Sequence, residues 1–227
     1  MLASVVAAET KDGNYRVDGQ CEPILLLSEF FDGVTPPALP IGWSSTTWVT
    51  SNSGVPMPPA ETLSNAVFVD DPATITDKQL LSPNRSTLCD AGAVQVFLRN
   101  NFNLQDGFDG GVLEVSYDHG LTFQDVLAAG GTFVVGGYNG TINSCCGNPL
   151  AGRQAWTGNS GGFIGSIVSL PAGCSQVILR WRWEVTAASR VKAGASTTLL
   201  SLNASHLRHT ADLIRARARL RTRVLSP

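Results

Sequence analysis

Val94-Gln95-Val96-Phe97-Leu98-Arg99-Asn100-Asn101-Phe102, a turn over Gln105 to Gly111, then Val112-Leu113-Glu114-Val115-Ser116-Tyr117: this stretch decides the fold. Large apolar side chains recur at every second position, which puts them on one face of an extended chain and the polar ones on the other. The second run returns along the first after the turn, so the centre of the chain reads as two long neighbouring strands. Working outward, Ile24 to Leu27 followed by Glu29-Phe30-Phe31-Asp32-Gly33 reads as an opening strand. Pro36, Pro37 and Pro40 then force an extended loop up to Gly42-Trp43. Trp43 to Thr50 reads as a second strand, Ala66 to Val69 as a third ending in Asp70-Asp71-Pro72, and Asp77 to Pro83 leads into another.

Downstream, Asp118-His119-Gly120 is a tight turn. The Gly-rich stretch from Gly130 to Gly162, with Phe133-Val134-Val135 and Tyr138-Asn139-Gly140-Thr141 inside it, reads as an elaborated loop or a set of short strands. Phe163 to Leu170 and Gln176 to Trp183 are the last strands with clear alternation. About eight strands at this spacing predict an all-β fold, a two-sheet antiparallel β-sandwich of the jelly-roll kind. Composition agrees: 23 Gly and 12 Pro punctuate short apolar runs, and charged residues make up only 15% of the 227.

The net charge of −2 hides an asymmetry. Residues 1–183 carry 8 Lys+Arg against 16 Asp+Glu, whereas residues 184–227 carry 8 against 2. The expected organisation is therefore an N-terminal extension over 1–23, the sandwich over 24–183, and a basic tail over 184–227, poorly structured or helical. Leu207, Ala211, Ile214, Ala218 and Leu220 among six arginines would give that tail an amphipathic helix. No run of about 18 apolar residues is present, so no transmembrane helix is expected. The N-terminus shows no convincing signal peptide, and the body of the chain gives no reason to expect nucleic acid as a partner. Five cysteines, Cys21, Cys89, Cys145, Cys146 and Cys174, lack the CxxC spacing of zinc and redox motifs. They read as buried thiols or one or two disulfides, a Cys89–Cys174 bridge being conceivable and the odd number leaving one unpaired within the chain.

The order of segments resembles MAM-type and cleaved-adhesin-type jelly rolls, and most closely the MAM-like accessory domains of bacterial secreted proteins. The residues that carry the resemblance are Phe31-Asp32-Gly33 with a Pro-rich gap to Gly42-Trp43, Asn65-Ala66-Val67-Phe68, and Leu80-Leu81-Ser82-Pro83. They continue through Asn101-Phe102-Asn103-Leu104, Phe108-Asp109-Gly110-Gly111-Val112-Leu113-Glu114, Gly137-Tyr138-Asn139-Gly140 and Trp156 to Phe163. Such domains close with a strand of the form Gly-Trp-x-apolar-Asp-Asp/Asn-apolar, which is missing after Trp183. In a reading frame displaced by one base, suitable synonymous codons for Glu184 to Ser205 yield GDSSVSREGWRIDDITVIERV, which contains that strand. The expectation is a frame shift near Trp183–Glu184, leaving residues 184–227 as a non-native translation.

The resemblance implies a secreted or cell-surface protein, non-catalytic, for adhesion or for docking to a protein or glycan on a surface. The alternatives are a carbohydrate-binding module and an accessory domain detached from a secreted protease or other hydrolase. It also implies a structural calcium ion held by carboxylates, with Glu29, Asp32, Asp70, Asp71 and Asp77 as candidate ligands. No catalytic residues are assigned: His119 sits in a turn, Ser160 lacks the G-x-S-x-G spacing, and Glu114 and Glu29 read as ordinary strand positions. Trp43, Trp181 and Trp183 are expected in the core, whereas Trp156 and Tyr138, in the Gly-rich region, are the candidate ligand-binding residues.

Overall fold

The computed structural model describes residues 7–9, 15–17, 24–51, 65–72, 74–86, 94–171, 176–185 and 194–204. The strands are β1 (Ala7–Glu9), β2 (Tyr15–Val17), β3 (Ile24–Glu29), β4 (Ser44–Ser45), β5 (Val49–Ser51), β6 (Ala66–Asp70), β7 (Thr76–Leu81), β8 (Arg85–Ser86) and β9 (Val94–Phe102). They continue with β10 (Gly110–Ser116), β11 (Gln124–Asp125), β12 (Thr132–Val135), β13 (Gly140–Thr141), β14 (Gln154–Ala155), β15 (Ile164–Leu170), β16 (Gln176–Val185) and β17 (Gly194–Ala204). No helix among the described residues is long and apolar enough to cross a membrane.

Two antiparallel sheets form an all-β sandwich. The six-stranded sheet runs β11-β10-β16-β7-β4 with β8 beside β16, and the seven-stranded sheet runs β12-β15-β9-β17-β6-β5 with β3 beside β17. Alternation along each strand builds the single main core between them. β9, β15 and β6 contribute Val96, Leu98, Phe102, Val168, Leu170, Val67 and Val69, while β7, β10 and β16 contribute Leu80, Leu113, Val115, Leu179, Trp181 and Trp183. Each such side chain adds about 1.5–3 kcal/mol when it leaves water. Trp43 packs on Phe31 and Trp181, and Trp48 on Trp183, with ring centroids 5.0–6.1 Å apart. Gly111 lies opposite Trp183 in the β10–β16 register, and a Cβ there would overlap the indole ring, so the tryptophan needs a glycine as its neighbour.

All seven residues of β10 are buried because both of its faces are covered. The inner face meets the main core. Across the outer face the Gly-rich excursion folds back, with β13 and β14 pairing as a hairpin and Ile142, Leu150 and Ala155 packing on Val112 as a small second core. The Asn143 N–H donates to the Gly107 carbonyl and the Asn148 side-chain amide to the Phe108 carbonyl, which ties the excursion to the turn preceding β10.

Two segments differ from the sequence reading. Trp43 to Thr50 is not one strand: β4 joins the six-stranded sheet and β5 the seven-stranded one. The corner between them is made by Ser45, whose hydroxyl accepts from the Thr47 and Trp48 N–H groups and donates to the Gln79 carbonyl. A serine turn of this kind redirects the chain without glycine or proline. The sandwich also does not stop at Trp183. β16 continues to Val185, and β17 occupies the closing position, paired with β9 along one edge and with β6 and β3 along the other. The helix expected in the arginine-rich tail beyond Ala204 lies outside the described residues, as do Cys21, Cys89 and Cys174.

Candidate functional site

The register of β10, β16 and β7 sets Glu114 beside Arg180, Arg182 beside Gln79, and Glu184 beside Asp77. Because the neighbouring odd-numbered residues of β16 enter the core, these polar side chains share the outer face of the six-stranded sheet. The excursion covers the β10 side of that face, and Arg153 comes from it.

Glu114 is the hub. Its side chain is 4% exposed and accepts from Arg153 Nη1 at 2.7 Å and Arg180 Nε at 2.7 Å, with Arg182 Nη1 3.9 Å away. Arg153 reaches Asp125 with its other nitrogen at 2.8 Å. Arg182 grips Asp77 with two bonds of 3.1 and 2.9 Å, and Gln79 donates to both oxygens of the same carboxylate at 3.0 Å. Arg180 lies over the Phe123 ring, 4.1 Å from its centroid. Burial alone would lower the pKa of Arg153 and Arg182, but the Asp125 and Glu114 bonds to the first, and Asp77 and Glu184 beside the second, raise both. Burial also pushes Asp77 upward, and its hydrogen bonds with Arg182, Glu184 and Gln79 outweigh that and lower it. Glu184 goes the other way: burial and the neighbouring Asp77 lift its pKa to about 9, against the pull of Arg182, whose Nε lies 2.8 Å from its carboxylate.

This arrangement holds planar donors and acceptors in fixed directions. Glu184 is fully buried, out of a substrate's reach. Glu114 is locked between guanidinium groups. His119 occupies an exposed turn at φ +63°, and Ser160 bonds to the Phe102 and Gly162 carbonyls, holding its own loop together.

The five carboxylates expected to share a calcium ion do not converge. The Glu29 carboxylate accepts from the Phe31 N–H, Asp32 from the Asn65 N–H, Asp70 pairs with Lys78, and Asp77 is gripped by Arg182. Among the described residues no three of His, Cys, Asp and Glu gather in a way that would hold a metal. The set spans both sheets and each carboxylate but one already serves a nearby donor, which is why proximity in the motif did not become proximity in space. The exception is Asp71, whose two oxygens are buried without a hydrogen-bond partner among the described residues. Burial, and then the Asp109 carboxylate, raises its pKa to about 7.

Trp156 and Tyr138 are also not placed as a ligand platform. Trp156 has no exposed surface; its indole N–H donates to the Gly136 carbonyl and its ring meets Phe133 and Tyr138 edge-on. The Tyr138 hydroxyl accepts from the Leu113 N–H at 3.0 Å and faces the Leu113 carbonyl and the Asp125 carboxylate, both at 3.1 Å. Both aromatic residues clamp the excursion onto β10. The Gly-rich stretch, read as an elaborated loop or a set of short strands, takes the second form, and its glycines allow the backbone to fold closely over the sheet. The residues the sequence reading missed are Arg180, Arg182 and Arg153; the alternation Arg180-Trp181-Arg182-Trp183 was the available signal, since it sets two cations on one face.

No family model matches this chain, and no curated protein matches it. Several solved structures are similar to it. The K1 cleaved adhesin domain of Lys-gingipain from Porphyromonas gingivalis W83 has a TM-score of 0.44 at 14% identity, over 79% of this chain and 98% of that one. The K2 cleaved adhesin domain of Lys-gingipain has a TM-score of 0.43 at 19% identity, over 79% and 99%. TmCBM61, solved in complex with β-1,4-galactotriose, has a TM-score of 0.41 at 12% identity, over 70% of this chain and 85% of that one.

Proposed function

We propose that this chain is a non-catalytic binding module, secreted or at the cell surface, that docks onto a glycan or protein surface through the outer face of its six-stranded sheet. The observation that carries the reading is the Glu114 hub, which fixes Arg180 and Arg182 beside Gln79 and Asp77 while leaving their outer edges in contact with solvent. Guanidinium groups held in plane make paired hydrogen bonds to ligands rich in oxygen, and ordering them in advance lowers the cost of binding. A disulfide between Cys145 and Cys146 supports an oxidising, extracellular setting. The test is binding of the full chain to a glycan array and to a panel of surface proteins, with Arg182→Ala and Arg180→Ala compared. Loss of binding with unchanged circular dichroism supports the reading, and undiminished binding by both variants removes this face from it.

Calcium belongs to this reading in a narrower form than the sequence implied. Asp71, whose buried oxygens lack a hydrogen-bond partner among the described residues, offers hard oxygen donors of the type calcium takes. A bound ion would raise the thermal midpoint. An identical midpoint in calcium and in chelator ends that part of the proposal.

A further inference from the structure

Cys145 and Cys146 are joined to each other, neighbours in the chain, and both are exposed together with Gly147. A bridge of sequence separation 1 closes too small a ring to restrict the unfolded chain, so it adds little to global stability. What it constrains is local. Cys146 is held at φ +70°, a conformation that side-chain-bearing residues avoid. The loop that it shapes is anchored on both sides. Before it, the Asn143 N–H donates to the Gly107 carbonyl at 2.7 Å and the Asn143 side chain accepts from the Cys145 N–H at 3.0 Å. After it, Asn148 donates to the Phe108 carbonyl at 2.7 Å and accepts from the Leu150 N–H at 2.6 Å. Between the anchors, Gly147 faces the half-exposed Ile75, whose terminal methyl lies 3.3 Å from where a Cβ would stand.

We propose that Cys145–Cys146 is a thiol-exchange site, a modification site for dithiol reductants whose state sets the shape of the 143–148 loop. A thiolate of the dithiol attacks one of the exposed sulfurs, the Cys145–Cys146 bond breaks and a mixed disulfide forms. The second thiolate of the reductant then displaces the protein sulfur. The reductant leaves as a disulfide, two electrons pass to the protein, and Cys145 and Cys146 become thiols after protonation. Exposure is what makes this attack possible, since exchange depends on access to the sulfur. Reduction frees Cys146 to leave the left-handed region, which withdraws Gly147 from Ile75 and loosens the anchor between Asn143 and Gly107.

The test uses the full chain with dithiothreitol as the probe, iodoacetamide trapping, peptide mapping and amide hydrogen exchange. Both cysteines are expected to be alkylated at reductant concentrations that leave the near-ultraviolet circular dichroism of the buried tryptophans unchanged. Exchange at the Asn143 amide should then rise by about tenfold, the signature of a local opening. Three results overturn the proposal: alkylation only after unfolding, untreated protein in which Cys145 or Cys146 pairs with Cys21, Cys89 or Cys174, or equal Asn143 exchange in both states. The Cys145→Ser/Cys146→Ser chain is expected to show the fast exchange without reductant, and slow exchange in that chain also counts against the switch.

Discussion

β16 and β17 occupy the same kind of place, inside a sheet with strands on both flanks, yet their sequences differ sharply. β16 alternates Leu179, Trp181 and Trp183 with Arg180, Arg182 and Glu184, so one face makes core and the other makes the polar site. β17 reads Gly-Ala-Ser-Thr-Thr-Leu-Leu-Ser-Leu-Asn-Ala, with no aromatic or charged residue. The difference teaches that a strand can be placed by its neighbours. β9, β6 and β3 each present an edge of backbone donors and acceptors, and any extended segment of the right length satisfies them. The register of β16 is matched by its side chains, and the described part of β17 is its backbone pairing with β9, β6 and β3.

The sharpest way to break that comparison is to end the chain after Val185. Without β17 three strand edges open at once, so the truncated chain should lose cooperative unfolding and aggregate, seen by size exclusion and thermal melts. A soluble truncated chain with an intact melt would show that β17 is dispensable. Sequencing the gene across Trp183 asks whether the present residues of β17 are the native ones; the displaced-frame peptide is expected to be compatible with every codon, and one incompatible codon ends that idea.

On the β16 side, Trp183→Ala removes a buried indole and should cost about 3–5 kcal/mol in denaturant unfolding. Gly111→Ala pushes a methyl into the same ring and should cost about 1–3 kcal/mol, an effect that Trp183→Ala in the same chain should diminish. A pH-dependent effect is expected from Glu184. Its folded pKa of about 9 lies above the ordinary 4.5, so the folded state binds the extra proton between those values. Stability contributed by this proton is complete below pH 4.5 and declines as pH rises toward 9, and Glu184→Gln should flatten the decline. Smallest is Trp156→Phe, which removes one hydrogen bond to Gly136 and should cost about 0.5–1.5 kcal/mol.

The sandwich was legible wherever strands alternate: β9, β10, β15 and β16 fall within a residue or two of where their apolar periodicity puts them. β17 was not, because its sequence has no aromatic residue and no sustained apolar alternation. Nor was the corner at Ser45, since a hydroxyl closing a turn looks in sequence like any other serine. The candidate site was half visible. Arg180 and Arg182 stand out on β16, but the carboxylate that organises them, Glu114, lies 66 residues away from Arg180, and Arg153 comes from an excursion whose path sequence does not define. The calcium candidates are spread over both sheets, so closeness in the motif says little about closeness in space.

Glu114 has one more consequence. Around it and Arg153, Arg180 and Arg182 stand Asp77 and Asp125, so three cationic side chains meet three anionic ones within a single network. Such a face projects almost no field into solution. A ligand approaching it would be neither drawn in from a distance nor turned away by its charge, and raising the ionic strength should leave its association rate nearly unaltered. Recognition there begins only on contact, when hydrogen-bond directions match.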